Sequence, residues 1–332
     1  MKNYRDTDYL NATARVRALE NSMLGSRSLV KMVDAKNAEE AFKVLSDSAI
    51  GKGHELASYE AAFRDNMLET YSLVEKISPL PGLVDIFRYK YDGHNLKVAI
   101  KSKKLDKDCT EILSPLGNVT VAKLLEELDK KELSSFSPLL GASGLDAAEQ
   151  MAKTGDPQTV DVIIDRAVLE TMAAKAAEID NAFLSHFVQA QVDIANIRAT
   201  IRLKRMKKEL PMLKRVLVSG GTIPVQKLFD AYGKGYDEIF EVVSASPYGA
   251  ALEPSYDGLR GETTLSLFEK LCDNYMVSIF AKVRFIAFGI EPLIAYLYGK
   301  ECETNAARIV LASKLAGVPA PQITERLREA YA

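Results

Sequence analysis

Apolar residues recur every three or four positions over most of this chain. The longest such series runs from Met172 to Ile201 in successive steps of three or four. That spacing places its members on one face of an α-helix. Asp156-Pro157 is a helix-start signal and Pro211 is a stop signal, so the series predicts one very long helix between them.

Two further apolar stripes have the same helical period. One runs from Phe268 to Ile290 and ends near Pro292, and the other spans 59–91 with a Pro-rich break at 79–82. Shorter amphipathic stretches between the stripes predict helices of two or three turns at Asn37–Leu45, Val119–Leu128, Val225–Tyr232 and Pro321–Tyr331. The sequence contains no convincing alternation of apolar and polar residues, so we predict an all-α fold and exclude a parallel β-sheet.

One polar motif recurs on these predicted helices. The segments DGHNLKVAIKSK from Asp92 and DIANIRATIRLK from Asp193 both fit D-x-x-N-h-(K/R)-x-x-h-(K/R)-x-K, where h is apolar, and start 101 residues apart. Weaker copies start at Asp8 and Glu303, and the last has Ala306 and Ala312 at two polar positions. The signature residues are Asp8, Asn11, Arg15, Arg17, Asp92, Asn95, Lys97, Lys101, Asp193, Asn196, Arg198, Arg202, Glu303, Arg308 and Lys314.

The motif has two interpretations that the sequence leaves open. It could be a polar ladder that fixes the register of packed helices, in which case Asp193, which the apolar stripe places in mid-helix, pairs with a base on a neighbouring helix. It could instead present a ring of bases to an acidic partner. The basic run 202–208 is either a solvated helix end, where cations suit the negative pole of the helix, or a contact for an acidic partner or a membrane headgroup.

The spacing of the copies predicts duplicated domains. A period near 100 residues is too long for a simple solenoid unit. We therefore expect three helical domains: 1–53 together with 258–332, then 54–155, then 156–257. The first joins both chain ends, because the copy at Glu303 leaves only a short tail after it.

Composition narrows the class of protein. The chain has 332 residues, 47% of them apolar, and a net charge of -2, which does not favour a nucleic-acid binder. Three widely spaced cysteines form no disulfide framework and indicate a reducing compartment. The N-terminus lacks the apolar core of a signal peptide, and no uncharged stretch approaches the roughly 20 residues that cross a bilayer.

Motifs for chemistry are missing from the sequence. Its Gly-Lys pairs lack the rest of a P-loop, and no GxGxxG, HExxH, CxxC or GxSxG pattern occurs. We therefore predict no catalytic, cofactor-binding or metal-binding residues and no enzyme. Four aromatic residues around Glu291-Pro292 either pack in the core or form a contact surface: Phe285, Phe288, Tyr296 and Tyr298.

Four ordered stretches carry a resemblance to a known family. They are TARVRALE at 13–20, NLKVAIKSK at 95–103, ANIRATIRLK at 195–204 and GIEPLIAYLYGKECE at 289–303. In these stretches the chain resembles the C subunit of archaeal/vacuolar-type rotary ATPases, whose eukaryotic counterpart is the d subunit of the vacuolar ATPase.

That resemblance implies three similar helical domains around a pseudo-threefold axis, forming a funnel. It implies a non-catalytic rotor component on the cytoplasmic face of the membrane, peripheral to it, which links the shaft of the D and F subunits to the membrane rotor ring of the K/c subunit. Such a component binds no nucleotide itself and couples ATP synthesis or hydrolysis to H+ or Na+ transport. A helical-repeat scaffold of another multisubunit complex is the alternative.

Overall fold

The computed structural model describes residues 4–261 and 264–331. Its regular structure is helical, and no β-strand occurs in these described ranges, so the all-α prediction is confirmed. The chain forms two compact units. Unit 1 comprises Met1–Val84 and Thr264–Ala332, and unit 2 comprises Asp85–Thr263.

Each unit contains both long and short helices. The first segment of unit 1 contains α1 (Leu10–Glu20), α2 (Ser26–Asp34), α3 (Ala38–Ser46) and α4 (Tyr59–Ile77). Unit 2 contains α5 (Asp85–Leu105), α6 (Val121–Lys130), α7 (Pro138–Thr154), α8 (Pro157–Ile179), α9 (Ala182–Arg205), α10 (Leu210–Val216), α11 (Val225–Lys234), α12 (Tyr236–Ser244), α13 (Gly249–Leu252) and α14 (Tyr256–Arg260). The second segment of unit 1 contains α15 (Ser266–Ser278), α16 (Glu291–Leu315) and α17 (Ala320–Arg326).

In unit 2, α8 is the central helix and packs against α5, α7 and α9. Its apolar face includes the fully buried Val160 and Ile164. The rings of Phe87 on α5 and Phe187 on α9 stack with centroids 6.0 Å apart. Each buried aliphatic or aromatic side chain of this kind stabilises the fold by about 1.5–3 kcal/mol.

The single long helix predicted between Asp156-Pro157 and Pro211 is wrong, because the chain turns at 180–181. Asp180 adopts the left-handed conformation with φ 56°, and the side chain of Asn181 accepts a hydrogen bond from the backbone N–H of Leu184. An Asp that tolerates positive φ followed by an Asn that caps the next helix is a turn signal. The apolar series continues across this turn because α8 and α9 both bury their apolar faces.

In unit 1, α16 is the central helix and packs against α1, α2, α3, α4 and α17. Its apolar residues join those of the N-terminal helices in one buried cluster, which includes Met32, Phe42, Leu45, Val310 and Leu311. The two ends of the chain therefore build one core. This core brings the loop before α2 against α16.

Most other boundaries follow the sequence. The Pro-rich break separates α4 from α5, and the short helices α3, α6 and α11 lie where they were predicted. Two helices end earlier than predicted. The helix α15 ends at Ser278 instead of continuing to Ile290, and α17 ends at Arg326 instead of Tyr331. The residues after α17 lie beside α15, where Arg328 pairs with Asp273 at 2.7 Å. Division into three domains and the funnel shape stay predictions, since two compact units neither require nor exclude them.

The repeated motif as candidate functional site

The Asp and Asn of the copy at 92 hold a distant loop. Both are buried in the middle of α5. Asp92 accepts hydrogen bonds from the backbone N–H of Val119 at 3.1 Å and from the side chain of Asn118 at 2.9 Å. The side-chain amide of Asn95 bonds both the N–H and the C=O of Ser114, at 2.8 and 2.7 Å. The loop before α6 is thus bound to the middle of α5.

The copy at 193 makes the same contacts on α9. Asn196 bonds the N–H and C=O of Val218, at 2.9 and 2.7 Å. Asp193 accepts from the N–H of Ile223 at 3.1 Å and from both the N–H and the hydroxyl of Thr222 at 2.6 Å. Tyr248 adds a fourth donor at 2.7 Å. The expectation that Asp193 pairs with a base on a neighbouring helix is therefore wrong: its donors are a loop and a phenol.

The copy at 303 repeats the carboxylate contact within unit 1. Glu303 lies buried on α16 and accepts from the N–H of Leu24 at 2.5 Å. Its second oxygen lies 2.5 Å from the ammonium of Lys300, which is also buried. Ala306, where the other copies have Asn, has no side chain to bond the loop. This copy therefore keeps the carboxylate contact but lacks the Asn contact. Its two partners, Leu24 and Glu303, come from opposite ends of the chain.

The three carboxylates bind residues in equivalent positions. Val119, Ile223 and Leu24 are each the residue before the N-cap of a short helix, namely α6, α11 and α2. Each carboxylate lies on a long helix and accepts from that residue's N–H. A negative charge here also suits the positive pole of the short helix.

A lysine at the end of each motif binds the other end of the same short helix. Lys103 reaches the carbonyl of Leu128 at 3.4 Å near the end of α6, and Asp129 at 2.7 Å. Lys204 donates to the carbonyl of Tyr232 at 2.7 Å near the end of α11. Lys314 donates to the carbonyl of Ala35 at 2.5 Å, immediately after α2. A cation suits the negative pole of a helix and satisfies a free carbonyl.

The motif therefore fixes a short helix parallel to a long one at both of its ends. Carboxylate and lysine are eleven residues apart, which is about 16 Å along an α-helix. That length matches a ten-residue helix such as α6 at about 15 Å. We call each such carboxylate–lysine pair and its short helix a clamp. Unit 2 holds two clamps, and unit 1 holds one.

The long helices also end alike. Asp106, Lys207 and Gly317, each fourteen residues after the motif carboxylate, adopt positive φ of 50°, 53° and 70°. In each case the next N–H bonds back to the carbonyl five residues earlier, at 3.1, 3.0 and 2.9 Å. This is the Schellman ending of a helix. The three segments therefore share one local geometry from the carboxylate to the helix end.

The bases inside the motif make intramolecular pairs. Lys97 and Lys101 on α5 reach Asp165 and Asp161 on α8, at 2.6 and 2.5 Å. Arg308 on α16 makes the equivalent contact to Glu60 on α4 at 3.0 Å. These pairs support the register interpretation at those positions. Arg198 is half-buried and Arg202 is exposed on α9, and for these two an interface with an acidic partner stays a prediction.

The copy at Asp8 does not share these contacts. Asp8 is exposed and accepts from the N–H of Arg5 at 2.9 Å, in a local turn. Asn11 and Arg15 are also exposed on α1. Arg17, in contrast, donates to the carbonyls of Val283 and Ile286 and pairs with Glu20. It holds the loop between α15 and α16.

Sequence reasoning missed the glycines that the carboxylates require. A Cβ on Gly117 would lie 2.4 Å from Oδ1 of Asp92, and one on Gly221 would lie 1.9 Å from Oδ1 of Asp193. The run Ser219-Gly220-Gly221 is a turn signal in the sequence, but the sequence does not reveal that Gly221 must contact a carboxylate. It lies about 30 residues from the motif, and no local pattern links the two.

The clamps give a structural role to the carboxylates and terminal lysines of the copies at 92, 193 and 303. Within residues 4–261 and 264–331, no group of three or more His, Cys, Asp or Glu side chains is arranged to hold a metal ion. In the same described part of the chain, the helices are too short or too polar to cross a bilayer. The arrangement can bind helices and loops firmly together.

Comparisons with known proteins cover almost the whole chain. Residues 12–326 match the sequence model described as ATP synthase (C/AC39) subunit. The C subunit of the V-type sodium ATPase of Enterococcus hirae is 21% identical over 328 residues, 98% of this chain and 99% of the relative. The C subunit of the A-type ATP synthase of Methanocaldococcus jannaschii is 24% identical, covering 96% and 86%. That of Halorubrum lacusprofundi is 25% identical, covering 95% of each. The chain therefore belongs to the ATP synthase (C/AC39) subunit family.

Proposed function

We propose that this chain is a non-catalytic central-stalk component of a V/A-type ATPase. It links the shaft of the D and F subunits to the membrane rotor ring, and so couples ATP synthesis or hydrolysis to H+ or Na+ transport. It sits on the cytoplasmic face of the membrane, peripheral to it. The observation that carries the proposal is the end-to-end correspondence with relatives named as the C subunit of such enzymes.

The clamps supply the stiffness that a torque-transmitting part requires. A load that slides a short helix along its long helix must break hydrogen bonds at both ends of the clamp. Bonds to charged groups are worth about 1.5–3 kcal/mol each, and the close-packed core between the helices is nearly incompressible. A stiff body transmits rotation with little loss in bending.

The test is recovery of the chain with its partners. The chain carries an affinity tag and is expressed in its own cells, and membranes are solubilised in mild detergent. Proteins that co-purify are identified by mass. We expect the D and F subunits of the shaft and the ring protein in stoichiometric amounts. Recovery with a different set of proteins, or alone, contradicts the proposal and favours a scaffold of another complex.

A pair of matched variants tests whether partner binding requires an intact clamp. Asp193→Ala breaks one clamp by removing a buried carboxylate that accepts from four donors, and it should lower recovery of the partners. Asp8→Ala removes an exposed acceptor outside the clamps and should leave recovery unchanged. Equal recovery with both variants would mean that partner binding does not depend on an intact clamp.

A further inference from the structure

The connection between α15 and α16 exposes a run of apolar residues. The segment Phe285–Phe288 reads Phe-Ile-Ala-Phe. Phe285 is 78% exposed and Phe288 is 40% exposed, and Ala287 between them is exposed as well. Ile286 is half-buried, so three of the four apolar side chains in this segment are exposed. Clustered exposed apolar side chains lower solubility unless a partner covers them.

Hydrogen bonds from α1 hold the backbone of this connection. The guanidinium of Arg17 on α1 donates to the carbonyls of Val283 at 2.5 Å and Ile286 at 3.1 Å. The hydroxyl of Thr13 donates to the carbonyl of Gly289 at 3.4 Å. Gly289 has φ 129°, which permits the sharp turn into α16. A surface ordered in advance loses little conformational entropy when it binds.

Cations flank the aromatic side chains. Lys282 and Arg284 are both exposed, and neither forms an ion pair within the described residues. The guanidinium of Arg284 lies 5.0 Å from the centroid of the Phe285 ring. Unpaired cations beside an exposed aromatic ring complement a partner that carries carboxylates around an apolar pocket.

We propose that the exposed side chains of this connection, namely Lys282, Arg284, Phe285, Ala287 and Phe288, form a docking surface for a protein of the same complex. Phe285 inserts into an apolar pocket of that protein, and Lys282 and Arg284 contact carboxylates at the rim of the pocket. Aromatic residues and Arg carry most of the binding free energy in protein interfaces. This inference rests on the proposed function, because it takes the partner from the same complex.

A lipid bilayer is the weaker match to these residues. Each base near an anionic membrane contributes about 1 kcal/mol, and lipid-binding clusters hold roughly four to eight of them. This connection offers two. A rigid loop with one prominent aromatic side chain is better suited to a pocket of defined shape than to a fluid surface.

The experiment compares binding of the full chain and its variants to two immobilised probes. These are the purified shaft of the D and F subunits and the detergent-solubilised rotor ring, both from the same organism. We expect Phe285→Ala and Arg284→Glu each to weaken binding to one probe by about tenfold or more. The control Val30→Ala changes an apolar side chain that is 54% exposed on α2 and should leave both affinities unchanged.

Three outcomes would overturn the inference, and they differ. Binding of the unaltered chain to neither probe overturns the proposed function and this surface together. Strong binding that survives Phe285→Ala and Arg284→Glu overturns the surface alone. Phosphatidylserine vesicles serve as a third probe, and a loss of binding by the two variants that is seen only with these vesicles overturns the protein pocket in favour of a bilayer. Thermal unfolding of each variant shows whether a loss of binding reflects a loss of fold.

Discussion

Gly221 shows how closely a backbone must approach a buried carboxylate. A Cβ there would lie 1.9 Å from Oδ1 of Asp193, which cannot move away without losing its bonds to Thr222, Ile223 and Tyr248. Forcing an extra methyl group into a packed site costs about 1–3 kcal/mol, and the strained bonds add to this. We expect Gly221→Ala to lower the free energy of unfolding by about 2 kcal/mol or more, as measured by urea denaturation.

The matched control is Gly233→Ala. Gly233 lies on the exposed side of α11, and an added Cβ meets no atom within 4 Å. Ala is the better helix former by about 0.5–1 kcal/mol, so this variant should be slightly more stable than the unaltered chain. Equal destabilisation by the two substitutions would mean that the Asp193 contact is not the cause.

The carboxyl group of Asp92 should make stability depend on pH. Burial raises its pKa to about 6, although the donors Val119 and Asn118 favour the charged form. In the unfolded chain the same carboxyl has a pKa of about 3.9. Between these values the folded state holds a proton that the unfolded state has lost. The contribution is therefore fully present below about pH 4 and is lost as pH rises through about 6.

Asp92→Asn isolates this effect, because Asn does not titrate. The free energy of unfolding of the unaltered chain, minus that of the variant, should fall between about pH 4 and pH 7. One pKa unit corresponds to about 1.4 kcal/mol, so the fall should stay below roughly 3 kcal/mol. Urea titrations across this range measure it. A difference that is constant with pH, or that grows as pH rises, would show that Asp92 is ionised throughout.

At the scale of the element, the lysine end of a clamp can be tested on α11. Lys204 donates to the carbonyl of Tyr232 and lies 5.1 Å from the centroid of its ring. Its loss removes a charged hydrogen bond near the end of α11, worth about 1.5–3 kcal/mol. We expect Lys204→Ala to increase hydrogen exchange in the last turn of Val225–Lys234, as measured by mass spectrometry.

Lys208 is the matched control for this clamp. It lies one turn beyond Lys204, is exposed, and its side chain makes no ion pair within the described residues. Lys208→Ala should therefore leave exchange in α11 unchanged. If both variants or neither of them loosen α11, the carbonyl contact of Lys204 does not hold the helix end.

The sequence located these elements better than it located their contacts. Periodicity and proline positions predicted the helices, and the motif singled out Asp92, Asp193 and Glu303. Their partners could not be predicted, because Leu24 lies 279 residues before Glu303. The turn at 180–181 was missed for a different reason: apolar faces on both α8 and α9 continue one helical period across it.

At the scale of the whole molecule, unit 1 depends on both ends of the chain. Glu303 binds Leu24, Lys314 binds Ala35, and Tyr331 donates to Glu20 at 2.7 Å. The apolar face of α16 is buried by α2 and α3. Unit 2, in contrast, is one continuous segment with two complete clamps. The two units should therefore differ in how they respond when the chain is divided.

We expect the fragment 85–263 to fold alone and to unfold cooperatively on heating, as followed by circular dichroism. The fragment 264–332 should have little stable helix alone, because α16 would expose its apolar face and its clamp would lack α2. Mixing it with the fragment 1–84 should restore helix. The same 1–84 fragment with Leu45→Asp should fail, since Leu45 is fully buried in the shared core. Stable helix in 264–332 without its partner would show that unit 1 does not need both chain ends.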